Sequence, residues 1–377
     1  MNDEKMYSVY LPDPFRKKDG GRIRTPDEWE GQKAYFRELA QKYMYGVWPG
    51  TPESLSAEVL ETKSEYDGKA LRERSDLLID GRFHLVTELI HSVGDEKFPV
   101  IVVNTSPGPG SCPIEEDVVV KAGYAIATYE RDTIMPDKVL DAEEKKNYPQ
   151  FQCGTIMAWG WCQSVIAGYL KSRNDTAELI ATGHSRSGKA ALCAGIFDDS
   201  FAVVAPMGSG CGGAGSARFL GTADGKRQDE AHCETIGRLM EHFPHWYVEE
   251  YAEFGPKTAP FVLGDEVNYF PLDAHILRAA CAPRAVYNSE GADDFWANGF
   301  GTQLASECSQ KVFDFLGVPE RNGFHMREGG HSFNAHDWTA MVDFCDMVLG
   351  RERKMEHEDT VMKYFEINLE DYAPWIK

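Results

Sequence analysis

The 377-residue sequence predicts an α/β fold: a mostly parallel central sheet in a three-layer αβα sandwich. Two observations lead there. Fully apolar, strand-like runs alternate with helical stretches, the pattern of strands buried on both faces. One of these runs, at 179–183, passes through His184-Ser-Arg-Ser-Gly-Lys189 straight into an Ala-rich stretch, so strand, sharp turn and helix follow without a gap. The length exceeds one ordinary domain but suits a large α/β chain around one sheet, so 1–377 is read as a single domain.

Residues 1–80 read as an N-terminal approach segment, with Pro12, Pro14 and a turn at Pro49-Gly50. A helix begins near Thr25-Pro-Asp-Glu28, which combines an N-cap residue, Pro at the first helical position and acids in the first turn. Residues 83–91 mix strand formers with polar residues, as an early antiparallel strand does. The apolar run at 99–105 is a buried strand, followed by a Pro/Gly/Ser loop through Pro113. A strand at 123–129 and a Trp- and Ala-rich helix at 154–171 come next. Beyond the strand that ends at the Ser185 turn, three more strands are expected at 201–207, 284–288 and 323–327. The stretch at about 209–280 is too long for a simple loop and is read as an insertion packed over the strand ends near Ser185.

A composition 42% hydrophobic and 26% charged, without a long biased tract, is that of a globular chain. The formal charge of -21 argues against nucleic acid or an anionic membrane as partner, since both need a basic footprint. Nine Cys are scattered singly, with no C-x-x-C pair, which favours free buried thiols over a disulfide framework. The first residues carry no basic-then-apolar leader and no run is long enough to span a bilayer, so a cytoplasmic protein is expected, or an exported one if a leader has been removed.

Ser185 is the candidate nucleophile. A turn between strand and helix forces strained backbone angles on the residue at its apex and requires small neighbours, which Gly183 and Gly188 supply. The spelling departs from G-x-S-x-G, because the fifth residue is Ser187 and the Gly comes one later. The same letters imitate a phosphate-binding G-x-x-x-x-G-K, but residue 190 is Ala where the Mg²⁺-binding Ser or Thr belongs. A purely structural strand–turn–helix is the remaining alternative.

An α/β-hydrolase takes its triad in the order Ser, acid, His. After the strand near 288, Gly291-Ala-Asp-Asp294 places Asp294 in the acid turn, with Asp293 and Glu290 as rivals. After the last strand, two Gly precede His331, the candidate base, with His336 as the fallback. The acid fixes the tautomer of the base, and the base takes the Ser proton. For the oxyanion, the N–H of Arg186 is the first donor, and a second comes from the loop 104–110. The Arg186 side chain is either a third donor or part of an ion pair at the sheet edge. No His/Cys spacing suits a metal, and Gly210-Cys-Gly-Gly213 reads as a tight turn.

Taken together, Gly183-His-Ser-Arg-Ser-Gly-Lys-Ala190, Ser209-Gly-Cys-Gly-Gly213, Phe243-Pro-His-Trp246, Ala282-Pro-Arg284, Asp294-Phe-Trp-Ala297 and Gly329-Gly-His331 resemble the bacterial glucuronoyl esterases, carbohydrate esterase family fifteen. Leu11-Pro-Asp-Pro-Phe-Arg16 and Gly154-Thr-Ile-Met-Ala-Trp159 extend the resemblance over most of the chain. The resemblance implies an α/β-hydrolase fold, a Ser-His-acid triad, no cofactor, and a uronic-acid-bearing carbohydrate ester as substrate, the bond between xylan-borne (4-O-methyl-)glucuronic acid and lignin alcohols. By the same resemblance Arg186 stabilises the oxyanion, Lys189 contacts sugar hydroxyls, Trp296 lines the uronate pocket and Glu234 binds a hydroxyl. One departure stands out. Many members carry the catalytic Glu just before the Ser-Gly-x-Gly-Gly turn, where this chain has Gly208, so the acid is expected from the later loop, at Asp294. An acetyl esterase with the same triad, a nucleotide-binding protein and a catalytically silent carbohydrate binder are the alternatives.

Overall fold

The computed structural model describes residues 5–94, 96–105, 114–221, 233–257, 263–353 and 361–377. Its strands are β1 (Leu55–Glu65), β2 (Ala70–Ile79), β3 (Phe83–Ser92), β4 (Phe98–Asn104), β5 (Ala125–Tyr129), β6 (Thr176–His184), β7 (Phe201–Met207), β8 (Ala285–Gly291), β9 (Asn322–Arg327) and β10 (Val361–Met362). The helices are α1 (Trp29–Ala40), α2 (Glu116–Lys121), α3 (Ala142–Lys145), α4 (Thr155–Ser172), α5 (Arg186–Phe197), α6 (Ile236–His242), α7 (Ala274–Ala279), α8 (Gly299–Phe315) and α9 (Ala335–Leu349).

The ten strands of the described residues join one sheet in the order β1-β2-β3-β5-β4-β6-β7-β8-β9-β10. The β1/β2, β2/β3 and β3/β5 pairs are antiparallel, and every pair from β5/β4 onward is parallel. Burial on both faces explains the apolar sequence of β4. Val100 and Val102 pack into the larger core with Phe36 of α1, Ile166 of α4 and Leu192 of α5, while Ile101 and Val103 turn to a second core with Trp338 and Met341 of α9. The layers are therefore helices, sheet, helices, and the fold class is the one read from the sequence.

The sequence-derived strands at 83–91, 99–105, 123–129, 201–207, 284–288 and 323–327 correspond to β3, β4, β5, β7, β8 and β9, and the helix at 154–171 to α4. At the first helix, the Glu28 carboxylate accepts from the Thr25 N–H at 3.1 Å, as its capping sequence implied. The approach segment holds more than expected, because its residues 55–79 form β1 and β2. β1 is exposed along almost its whole length, so its sequence carries no apolar alternation to reveal it. Within the segment read as an insertion, α7 packs its Ile276 and Leu277 into the larger core. Eight cysteines among the described residues are free, and seven of them are buried. No helix of the described residues is long and apolar enough to cross a membrane.

Candidate active site

The C-terminal ends of the parallel strands form one rim, where His184 is in register with Met207 and Gly291 with Arg327. Ligands of such sheets bind at this edge. Ser185 follows β6 directly with φ 58° and ψ -126°, a left-handed strain that a non-glycine residue bears only when its surroundings hold it. Its N–H donates to Met207 O at 2.9 Å, and its carbonyl accepts from the Lys189 N–H at 3.0 Å. Two glycines permit this turn. A Cβ at Gly183 would stand 2.5 Å from Ser187 O, and one at Gly188 would stand 2.8 Å from Met207 O of β7. The close approach falls on residue 188, which accounts for the shifted spelling of the motif. The elbow is followed at once by α5, whose first N–H groups, beginning at Arg186, have no partner within the helix.

His331 stands in the loop after β9 and pairs its Nδ1 with Asp294 Oδ2 at 2.5 Å. Asp294 is buried, and its Oδ1 accepts from the Ala297 N–H at 3.1 Å, so the carboxylate is held at both oxygens. The His331 ring lies against that of His184, the residue before Ser185, with centroids 4.3 Å apart. Hydroxyl, imidazole and carboxylate thus share one rim. Among the described residues no hydrogen bond joins Ser185 Oγ to His331. Such contacts are often long without substrate and tighten in the complex.

The rival acids have other places. Asp293 Oδ2 accepts from the Gly329 N–H at 3.2 Å and so ties the histidine loop to the acid turn. Glu290 is buried on β8, its two oxygens without a hydrogen-bond partner among the described residues, and burial pushes its carboxyl well above the ordinary range. His336, the fallback base, lies in the first turn of α9 with its ring 4.9 Å from that of His325.

Arg186 does form an ion pair at the sheet edge. Its NH1 donates to Asp137 Oδ2 at 2.6 Å, and its guanidinium lies 4.8 Å from the Trp246 ring and 5.1 Å from that of Phe243. The side chains of Trp246 (2.7 Å) and His245 (2.9 Å) both meet Asp137 Oδ1. Burial alone would raise the Asp137 carboxyl, but these three hydrogen bonds and the Arg186 charge hold it well below the usual range. A second guanidinium, that of buried Arg131, stands 3.7 Å from Asp137 and donates to Ser187 Oγ at 3.0 Å. Sequence reasoning missed Asp137, which lies in a loop without a motif of its own. The signal was indirect: Phe243-Pro-His-Trp246 sends two polar tips to one point, and that point needed an acceptor.

Lys189, Glu234 and Trp296 also come together. Lys189 is buried and donates to Glu234 Oε2 at 2.7 Å, to Cys211 O at 2.8 Å and to Ser209 O. The Glu234 N–H donates to Trp296 O at 3.0 Å, while the Trp296 side chain remains partly exposed. A lysine committed to two carbonyls and a carboxylate is not a phosphate-loop lysine, so the nucleotide alternative fails on geometry as well as on Ala190. Of the loop expected to give a second oxyanion donor, the Thr105 N–H is bonded to Tyr129 O at 2.9 Å, and 106–110 lie outside the described residues. No group of three or more metal-ligating side chains occurs among the described residues.

Comparison with known proteins gives a consistent picture. A family model described as glucuronyl esterase of fungi matches residues 82–317. The chain is 26% identical over 414 positions to a carbohydrate esterase from an unknown prokaryotic organism, covering 91% of each. It is 26% identical over 386 positions to a 4-O-methyl-glucuronoyl methylesterase of Thermothelomyces thermophilus, covering 98% of this chain and 88% of that protein. Among solved structures, a carbohydrate esterase family 15 glucuronoyl esterase from Caldicellulosiruptor kristjansonii matches with a TM-score of 0.75 at 28% identity, covering 97% of this chain and 96% of that one.

Proposed function

The chain belongs to the glucuronyl esterase family, and from that membership we propose that it hydrolyses esters of (4-O-methyl-)glucuronic acid on xylan or xylan-derived fragments by a Ser185-His331-Asp294 triad. The observation that carries the assignment of roles is the pairing of His331 Nδ1 with the doubly held Asp294 carboxylate, at the rim where Ser185 occupies a strained elbow.

In this reading Ser185 Oγ attacks the uronoyl carbonyl while His331 Nε2 takes its proton. Asp294 keeps the imidazole in the tautomer that leaves Nε2 free and stabilises the imidazolium that forms. Charge gathers on the carbonyl oxygen, where the Arg186 N–H at the start of α5 and its guanidinium supply preorganised donors. The alcohol leaves with the proton from His331. Water, activated by the same imidazole, then releases the uronate and frees Ser185. Glu234, oriented by Lys189, offers a carboxylate to sugar hydroxyls, and the Trp296 face offers an apolar wall to the ring. No step needs a metal or an organic cofactor.

The test is a pair of substrates, benzyl glucuronate and a sugar acetate of similar size. A higher kcat/KM on the uronate ester supports the reading. A preference for the acetate would make the enzyme an acetyl esterase with the same triad.

A further inference from the structure

We propose that His184 is a positioning residue whose imidazole face holds the ring of His331 in line with Ser185, a role that rests on His331 being the base. His184 closes β6 and immediately precedes Ser185, so the same sheet rim fixes both. Its ring lies 4.3 Å from that of His331, with the planes 40° apart. The Phe333 ring lies 6.4 Å from that of His184 at 29° and is itself stacked on Trp338 of α9 at 4.6 Å. His184 is itself buried, so its ring has little room to move.

His331 needs such a neighbour. Its loop contains Gly329, with φ +96°, and Gly330, and its side chain is 33% exposed. Asp294 holds one ring atom, Nδ1, and a single hydrogen bond leaves the ring free to rock about that point. The contact with His184 removes this freedom. The room for it comes from Gly208, where an added Cβ would stand 2.9 Å from His184 Nε2 and 3.6 Å from His331 Cε1. A side chain at 208 would thus press on the His184 ring.

Charge fits the role as well. Burial pulls His184 down to about 3, so it stays neutral when His331 carries the proton, and the imidazolium meets a ring face without a like charge. The nitrogen itself is not what the role uses, since Nε2 has no hydrogen-bond partner among the described residues.

The experiment measures kcat and KM on benzyl glucuronate for the parent enzyme, His184→Ala, His184→Gln and His184→Phe, with near-ultraviolet circular dichroism to verify packing. Loss of the ring should lower kcat by about tenfold to a hundredfold in Ala and Gln with KM little changed, because a misplaced base costs rate and leaves ground-state binding alone. Phe, which restores the ring face, should recover kcat to within about threefold of the parent. The Gln variant keeps the test decisive if Ala does not fold. Parental kcat in a folded Ala or Gln variant overturns the proposal, and so does a Phe variant as impaired as the other two. A parent without uronate esterase activity overturns the esterase reading itself, a separate result.

Discussion

Arg186 NH1 and Asp137 Oδ2, 49 residues apart in sequence, meet at 2.6 Å one residue beyond the strained serine. The pair converts Phe243-Pro-His-Trp246 from a string of aromatics into a device. Phe243 and Trp246 stack at 4.0 Å and give the guanidinium a face, while Trp246 and His245 join it on the same carboxylate. Asp137→Asn removes the charge that anchors Arg186 without changing size. We expect kcat on benzyl glucuronate to fall by about tenfold to a hundredfold. Arg186→Ala should cost more, about 3–4 kcal/mol of barrier if its side chain is an oxyanion donor. Steady-state kinetics on the two variants check both figures, and an unchanged Arg186→Ala would leave only the backbone N–H in that role.

The three acids near the base are separable by substitution. Asp294→Asn should lower kcat by about 10⁴-fold, as loss of the orienting acid does where the base is left in the wrong tautomer. Asp293→Asn weakens only the anchor to Gly329 and should cost less than tenfold. Glu290→Gln exchanges a carboxyl that burial pushes toward its neutral form for a neutral amide of like shape, and its rate should stay near the parental one. A reversed order of the first two would move the triad acid to Asp293.

The elbow sets a stability prediction. Gly183→Ala drives a methyl to 2.5 Å from a backbone oxygen, and backbone cannot swing aside as a flexible side chain can. We expect a loss of about 2–3 kcal/mol by denaturant unfolding, together with lost activity. Full stability would mean that the turn has another conformation.

Acid should weaken the fold through its buried imidazoles. When unfolded, His184 and His275 each take a proton near 6.5; when folded, burial holds them to about 3 and about 4. Between those values the unfolded chain binds more protons, so stability falls as pH drops below about 6.5, by at most about 1.4 kcal/mol per pH unit for each. His184→Phe removes one such group. Its stability relative to the parent should therefore improve by about 2 kcal/mol on going from pH 7 to pH 5. Urea titrations of both proteins at the two pH values measure this, and a constant difference would mean that His184 does not titrate in the unfolded chain alone.

The residues themselves explain what the sequence could reveal. β4 and β7 were legible because burial on both faces leaves an unbroken apolar run. The gathering of Ser185, Asp294 and His331 at one rim was legible because each follows the end of a strand in a turn of small residues. β1 was not legible, since an exposed edge strand needs no apolar face. Asp137 was not legible either: its role exists only after α5 and the segment at 243–246 have met in space. The same holds for His184, which reads as a residue between a strand and a serine until folding brings a second imidazole against it.

Whether Ser185 is the nucleophile of a uronate ester hydrolase is read from release of benzyl alcohol from benzyl glucuronate by the parent and by Ser185→Ala. The parent should release the alcohol at a steady rate, and the folded variant should lose at least about 10⁴-fold of that rate. A Ser185→Ala protein that releases the alcohol within tenfold of the parental rate would contradict that role for Ser185.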